Sequence, residues 1–407
     1  MKRNVLIIAP FNPFPLISGG HQAVFNGVTI LKDVANVFLM VKTTESQYKK
    51  GCLNDLKNVL EFVKIIPYID PASKHNFRWY YNVIMNKLYK KRISVKSSHK
   101  NDTIIDPVWE VSNDKKTFVE KIINKYKIDI VQIEMMEDIS LVKYLPQNVK
   151  KIFVHHELKY VKDKLLLESC KHSNIEDDLW RKNKLVEIEL LKKFDYVITL
   201  SSIDSEKLKE EKVTTEIITS LATVKENQLE IPQQPIRKVL SYLGPEFHYP
   251  NYEGVMWFLD NCWTQILAKD KDYSLQIIGK WSSMTINLIE KKYKNVKCVG
   301  FVNDLVQTLS GTTMIVPLNI GSGIRMKILE AAQYNVPVVT TSVGAEGLPL
   351  VNGVHLFVAD TSEDFIESIL RLQNNELREK FIDATKNVIK YNYSVNKLKE
   401  SREFLYT

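Results

Sequence analysis

The chain has 407 residues and a mass of 47.2 kDa, too long for one ordinary hydrophobic core, which predicts two domains. Hydrophobic residues make up 44% and charged residues 26%, a balance that excludes a disordered or membrane-embedded chain. Lys and Arg outnumber Asp and Glu by 56 to 48, and this net charge of +8 suits anionic small molecules or an anionic membrane face.

The excess is spread along the chain with no zinc-finger or RNP-type signature, so no nucleic acid partner is expected. Cys52, Cys170, Cys262 and Cys298 lie far apart with no C-x-x-C, which predicts neither a metal site nor a disulfide framework and fits a reducing compartment. The basic-then-apolar start superficially resembles a signal peptide. Its apolar core, Val5–Ala9, is too short, and Pro10, Pro13 and Pro15 interrupt it at once. No run approaches the roughly 18 apolar residues of a membrane span. The expectation is a cytoplasmic protein that can rest on a membrane.

Val5–Ala9 reads as a buried first strand, Pro10–Gly20 as a loop ending in Ser18-Gly19-Gly20, and Gln22–Leu31 as a helix. Strand, Gly-Gly loop, helix is a phosphate-binding order of elements, although a plain turn would look the same and G-x-G-x-x-G is missing. Val37–Val41 and Val63–Ile66 continue the strands. Lys74–Lys100 differs in texture: it holds no acid, eight Lys or Arg, and Phe77, Trp79, Tyr80, Tyr81 and Tyr89. Such a stretch suits an anionic lipid surface or a lipid-linked acceptor; a core-packing helix with a basic solvated face is the alternative.

Ile128–Ile133 is strand-like and runs into Glu134, Glu137 and Asp138. Lys151–Val154 is another strand and delivers His155, His156 and Glu157. Carboxylates and imidazoles at the carboxyl ends of strands stand where open α/β sheets bind ligands. No third ligand has zinc-site spacing, so no metal is expected there. Asp178–Lys193 reads as a helix, Tyr196–Leu200 as a strand, Ser205–Lys212 as a helix and Glu216–Thr219 as extended. The polar, Pro-bearing residues 226–237 read as a linker between a first domain, 1–225, and a second, 238–388.

Lys238–Leu243 restarts the strand–helix alternation. Gly244 ends that strand, PEFHYPNYEG with Asn251 forms a loop, and Glu253–Leu267 is a helix. Leu275–Ile278 and Val296–Val299 follow as strands and Asn303–Leu309 as a helix. Asp270-Lys271-Asp272 imitates a metal-binding D-x-D but precedes its strand, which puts it at the wrong end of the sheet and makes it a solvated turn.

The most informative stretch reads MIVPLNIGSGIRMKILEAAQYNVPVVTT. Met314–Leu318 has strand length, Gly321 and Gly323 bracket Ser322 in a tight loop, and Ile324, Ile328, Leu329 and Ala332 fall at helical spacing. Val336–Val339 closes a βαβ unit. Arg325 and Lys327 are expected in the first helical turn, where the helix already carries partial positive charge. An anion held by backbone N–H groups and both cations accounts for that, with Glu330 one turn on reaching a hydroxylated ring. An ordinary Lys327–Glu330 surface pair and glycines as turn punctuation are the plainer alternative. Gly344-Ala345-Glu346-Gly347 follows the second strand, with glycines that permit close backbone approach. Asp364–Leu372, Asn375–Val388 and Tyr391–Thr407 read as helices.

PLNIGSGIRMKILEAAQYNVPVVTTSVGAEGL resembles the donor-nucleotide signature of retaining glycosyltransferases of family 4, in the branch with G-x-G-x-R-x-K-x-L-E-A. The usual family pattern has a second Glu eight residues before Glu330, where this chain has Ser322. The resemblance implies the GT-B fold: two Rossmann-like, doubly wound α/β domains facing across a cleft, with residues 389–407 packing back on the first. It implies a donor site of Gly321, Ser322, Gly323, Arg325, Lys327, Gly244, Asn251, Gly344 and Glu346, with Glu330 on the ribose and Gly19 and Gly20 approaching the diphosphate and sugar. VQIEMME and IFVHHELKYVK are similar to strands that bring a His toward donor sugar and acceptor. His156 is favoured for its neighbour Glu157, and Glu134 completes the catalytic set.

The activity implied is transfer of a sugar from a nucleoside-diphosphate sugar (UDP, GDP or other) to a glycan or lipid-linked acceptor, with retention, in bacterial surface polysaccharide synthesis. No cofactor or metal is expected, because Arg325, Lys327 and the helix start would meet the leaving diphosphate. Rival readings are a nucleotide-sugar epimerase or hydrolase of the same fold and a non-catalytic, transferase-like binding partner, which Ser322 supports best. A dehydrogenase is disfavoured because neither half has G-x-G-x-x-G.

Overall fold

A computed structural model describes residues 2–71, 105–108, 110–169, 172–221, 235–302 and 304–407. The acid-free stretch 74–100, Cys170 and most of the expected linker lie outside the described residues. The chain divides into two compact units, Met1–Leu221 with Leu398–Thr407, and Ala222–Lys397.

Among the described residues the first unit has seven strands: β1 (Asn4–Ala9), β2 (Asn36–Thr43), β3 (Val63–Ile69), β4 (Ile130–Glu134), β5 (Lys150–His155), β6 (Tyr196–Thr199) and β7 (Glu216–Thr219). Their order is β3-β2-β1-β4-β5-β6-β7 and every pairing is parallel. Val5 to Ala9 are fully buried, as a parallel strand covered on both faces requires. The helix after β1 spans Gly19–Thr29 and starts earlier than the loop reading expects. Ser18 Oγ accepts the His21 N–H, so Gly19 and Gly20 lie in the first helical turn and not in a loop.

The second unit holds β8 (Val239–Leu243), β9 (Ser274–Ile278), β10 (Val296–Gly300), β11 (Thr313–Val316), β12 (Val338–Thr340) and β13 (Phe357–Val358). The order is β10-β9-β8-β11-β12-β13, again all parallel. The helical run after β8 begins at Tyr249 and continues to Lys269 through a π turn at Leu259–Trp263. Asn251 is therefore in its first turn, not in a loop. Pro250 is compatible with that start, because it has no N–H to leave unpaired.

The expected helix over Tyr391–Thr407 is interrupted. One helix ends at Asn392, another spans Val395–Arg402, and a short 3-10 turn covers Glu403–Leu405. The final segment is bound into the first unit: Arg402 Nε donates to Ser220 Oγ at 2.6 Å and Lys150 Nζ to the Leu405 carbonyl at 2.8 Å.

Each sheet has one place where the chain reverses its direction of growth: between β1 and β4 in the first unit, and between β8 and β11 in the second. Helices leaving such neighbouring strands diverge to opposite faces, and a ligand-sized opening forms beyond the carboxyl ends. Glu134 stands at the first switch point; Gly244 and the Pro317–Gly323 loop stand at the second.

Candidate functional site

At the switch point of the second unit, the chain leaves β11 through a loop that two glycines make possible. Gly321 (φ 143°) and Gly323 (φ 76°) take backbone angles that larger residues avoid. The loop closes around the guanidinium of Arg325. Its Nη1 donates to the carbonyls of Ser322 and Gly323, the latter at 3.0 Å, and Nη2 donates to that of Val343 at 3.4 Å. A Cβ on Gly321 would stand 2.6 Å from Nη2. Arg325 is thus the cap residue ahead of the helix Met326–Gln333, buried, and holding the loop; it is not in the first turn beside Lys327. Ser322 and Glu330 are buried as well.

Lys327 does lie in that first turn. Its Nζ donates to Asn251 Oδ1 at 2.9 Å and to the Tyr242 hydroxyl at 3.1 Å, and stands 4.5 Å from the centre of the Tyr242 ring. The same Asn251 oxygen accepts the Tyr242 O–H at 2.8 Å, while Asn251 Nδ2 donates to the Pro245 carbonyl at 2.8 Å. Burial, and then the charge of Arg325, bring the Lys327 ammonium down to about 7, with Glu330 pulling upward. Among the described residues its hydrogen bonds go to neutral oxygens, and part of the side chain stays exposed.

The other residues expected on the donor side surround this group less directly. Gly244 directly follows β8, and its carbonyl accepts from Trp281 Nε1 at 2.9 Å. Gly344 lies within the short helix Ser342–Ala345, with Thr340 and Val316 occupying the space where a Cβ would be. Glu346 is that helix's C-terminal cap residue. Sequence reasoning missed Tyr242, Glu253 and Asn319. Asn319 Nδ2 donates to Glu253 at 3.2 Å, and burial raises the Glu253 carboxyl. Only Tyr242 gave a usable signal, a phenol one residue before the end of a strand that closes on glycine.

In the first unit, β4 and β5 bring Glu134 and His156 together. Glu134 Oε2 lies 2.6 Å from His156 Nε2, and Glu134 Oε1 accepts Gln132 Nε2 at 2.6 Å. The His156 side chain keeps 10% of its surface exposed, against 2% for that of Glu134. The next residue, Met135, has φ 69° and ψ 163°, a conformation that costs a non-glycine residue about 1–3 kcal/mol and concentrates at functional sites. Met135 packs against Gly20, where a Cβ would stand 2.8 Å from its methyl carbon. A larger residue at position 20 would have to push only this flexible thioether end aside.

The expected partnership of His156 with Glu157 is not formed: Glu157 pairs with Lys162. His155 points the other way, as alternation along a strand requires. Its Nε2 meets Glu187 Oε1 at 2.9 Å in the core, and Glu187 also accepts the N–H groups of Lys159 and Tyr160 at 3.1 and 3.0 Å. Asp270 and Asp272 both bind Lys238, at 2.7 and 3.3 Å. Among the described residues, no three His, Cys, Asp or Glu side chains converge as a metal site would need. Among the same residues, no helix is long and apolar enough to cross a membrane.

Residues 237–375 match the family described as glycosyl transferases group 1. An uncharacterized 44.6 kDa protein in the cps region of Klebsiella pneumoniae is 23% identical over 142 residues, which span 33% of this chain and 37% of that relative. Among the solved structures that resemble the chain over its full length are three with informative ligands or activities. A variant of S. aureus TarM in complex with fondaparinux, alpha-GlcNAc-glycerol and UDP has a TM-score of 0.68 at 14% identity, covering 100% of both chains. HepE of Anabaena in complex with UDP and glucose scores 0.64 at 11%, covering 100% of this chain and 99% of its own. The sucrose-phosphate synthase of Thermosynechococcus elongatus scores 0.68 at 13%, covering 100% and 98%. The two parallel-sheet Rossmann-like units are those of the GT-B glycosyltransferase fold.

Proposed function

We propose that this chain is a retaining glycosyltransferase of family 4 that moves a hexose or related sugar from a nucleoside-diphosphate sugar to a saccharide or lipid-linked saccharide. The observation that carries the reading is Lys327, lodged on Asn251 and Tyr242 beside the glycine loop at a switch point. Departure of a nucleoside diphosphate requires stabilisation of developing negative charge, and preorganised donors supply several kcal/mol of it. Lys327 and the start of the helix Met326–Gln333 take that role in the place of a metal ion, on a loop that Arg325 keeps in shape. Glu330 binds the ribose. His156, with Glu134 behind it, serves the reacting sugar and acceptor hydroxyl. The cps-region relative supports a place in surface polysaccharide synthesis.

A panel of nucleotide sugars, with and without saccharide acceptors, tests this. The expected result is nucleoside diphosphate released in step with an acceptor-linked product. A sugar isomer formed without acceptor would favour an epimerase, and binding without turnover would favour a non-catalytic partner.

The segment 74–100 is proposed to bring the chain to the inner face of the membrane. Each Lys or Arg near an anionic leaflet contributes about 1 kcal/mol, screened within a Debye length. Co-sedimentation with anionic but not neutral liposomes is expected, weakening with salt and lost when Lys87, Lys90, Lys91 and Arg92 become Gln. Equal binding to neutral vesicles would overturn it.

A further inference from the structure

Behind His156 runs a line of buried polar side chains that ends in the chain's final segment. The Tyr406 O–H donates to Gln132 Oε1, Gln132 Nε2 donates to Glu134 Oε1 at 2.6 Å, and Glu134 Oε2 meets His156 Nε2 at 2.6 Å. Gln132 and Tyr406 are at most 1% exposed, so water does not compete for these bonds. Gln132 lies on β4, fully inside a parallel sheet, where an unpaired amide would be costly. Its two ends are chemically different, and both are satisfied in one sense only.

The donor–acceptor directions follow from the ends of the line. An ionised carboxylate only accepts, so the amide must turn its N–H toward Glu134 and its carbonyl toward Tyr406. Tyr406 must then donate. By the same rule Nε2 of His156 must carry a hydrogen, which leaves Nδ1 as the acceptor nitrogen of the neutral ring. The segment that carries the tyrosine is anchored at two residues before it. Arg402 donates to Ser220 at 2.6 Å and to its carbonyl at 3.4 Å, and Lys150 holds the Leu405 carbonyl at 2.8 Å. Burial raises the Tyr406 hydroxyl, which keeps it a donor at any working pH.

We propose that Tyr406 and Gln132 are positioning residues that fix the Glu134 carboxylate and, through it, the ring orientation and tautomer of His156. This rests on the reading of His156 as the group that serves the transferred sugar and its acceptor. Neither residue touches substrate; each acts through the next.

The test uses the full chain. Nitrogen-15 spectra of the histidine rings, with His156 assigned by its loss in His156→Gln, should show the wild-type ring as the Nε2–H tautomer. Tyr406→Phe and Gln132→Met should give a mixture of tautomers, and kcat should fall roughly ten- to hundredfold with donor KM within about twofold. A wild-type ring protonated at Nδ1 alone would overturn the proposal without any variant. So would unchanged tautomer and kcat in folded Tyr406→Phe and Gln132→Met. A fully active His156→Ala would instead remove the functional reading of the histidine, while the tautomer measurement would still decide the relay.

Discussion

Lys327→Met is expected to weaken binding of a nucleoside-diphosphate sugar by roughly one to two orders of magnitude, the worth of one charge-assisted contact. The fold should tolerate it. Tyr242 and Asn251 remain hydrogen-bonded to each other at 2.8 Å when the ammonium is gone, so no buried group is orphaned. The pH dependence identifies the residue. With its ammonium brought down to about 7 by burial, Lys327 is already charged in acid and binding needs no proton. Above 7 the free protein holds a neutral amine, and a diphosphate must draw in a proton as it binds. Affinity should then fall about tenfold per pH unit, and calorimetry at pH 8 in buffers of different ionisation heat should reveal proton uptake. A nucleotide sugar is the right probe, because its diphosphate diester does not titrate in this range. The stability sign is opposite to that of a salt-bridged lysine. At Lys327 the folded state is less protonated than the unfolded chain from about pH 7 to 10, so this residue's contribution to stability rises with pH across that window. Lys327→Met should flatten that rise. Unchanged affinity, with no proton uptake in either protein, would remove Lys327 from the site.

The strands were legible because a parallel sheet buries both faces, which leaves continuous apolar runs such as VLIIA and MIV between breakers. The starts of the helices after β1 and β8 were less so. Gly19, Gly20 and Pro250 look like loop residues, yet Ser18 can cap ahead of the glycines and proline is at home in a first turn. The glycine loop after β11 and the place of Lys327 in the first helical turn could be read from spacing. The inward turn of Arg325 could not. Its three carbonyl partners come from the loop itself and from Val343, 18 residues on, and only the folded loop brings them to one point. His156 shows the same limit. Its sequence neighbour Glu157 suggested a pair, but neighbours on an extended chain point apart, and the carboxylate beside it comes from the adjacent strand, 22 residues earlier.

The two adjacent histidines should separate chemistry from stability. His156→Ala removes a partly exposed ring at a strand end, and kcat should fall about 10²- to 10⁴-fold if it moves or orients a proton in the transfer. Donor affinity should stay near wild type, because Lys327 and Glu330, proposed to hold the diphosphate and ribose, belong to the second unit. The melting temperature should change little. Glu134→Gln should follow the same pattern, since it keeps the shape of the side chain and loses the carboxylate that accepts from His156. His155→Ala should do the reverse. That ring is 1% exposed and lies against Glu187, which holds the N–H groups of Lys159 and Tyr160 at the start of a helix. Loss of the ring leaves a cavity and a carboxylate short of a partner, about 1–3 kcal/mol for the unmet bond alone. The melting temperature should drop by several degrees, while kcat measured well below it stays close to wild type. Thermal melts, single-turnover kinetics and nucleotide titrations on the three variants decide the matter. Equal loss of stability and turnover in His155→Ala and His156→Ala would assign both rings to the core and leave the sugar-side chemistry to other residues.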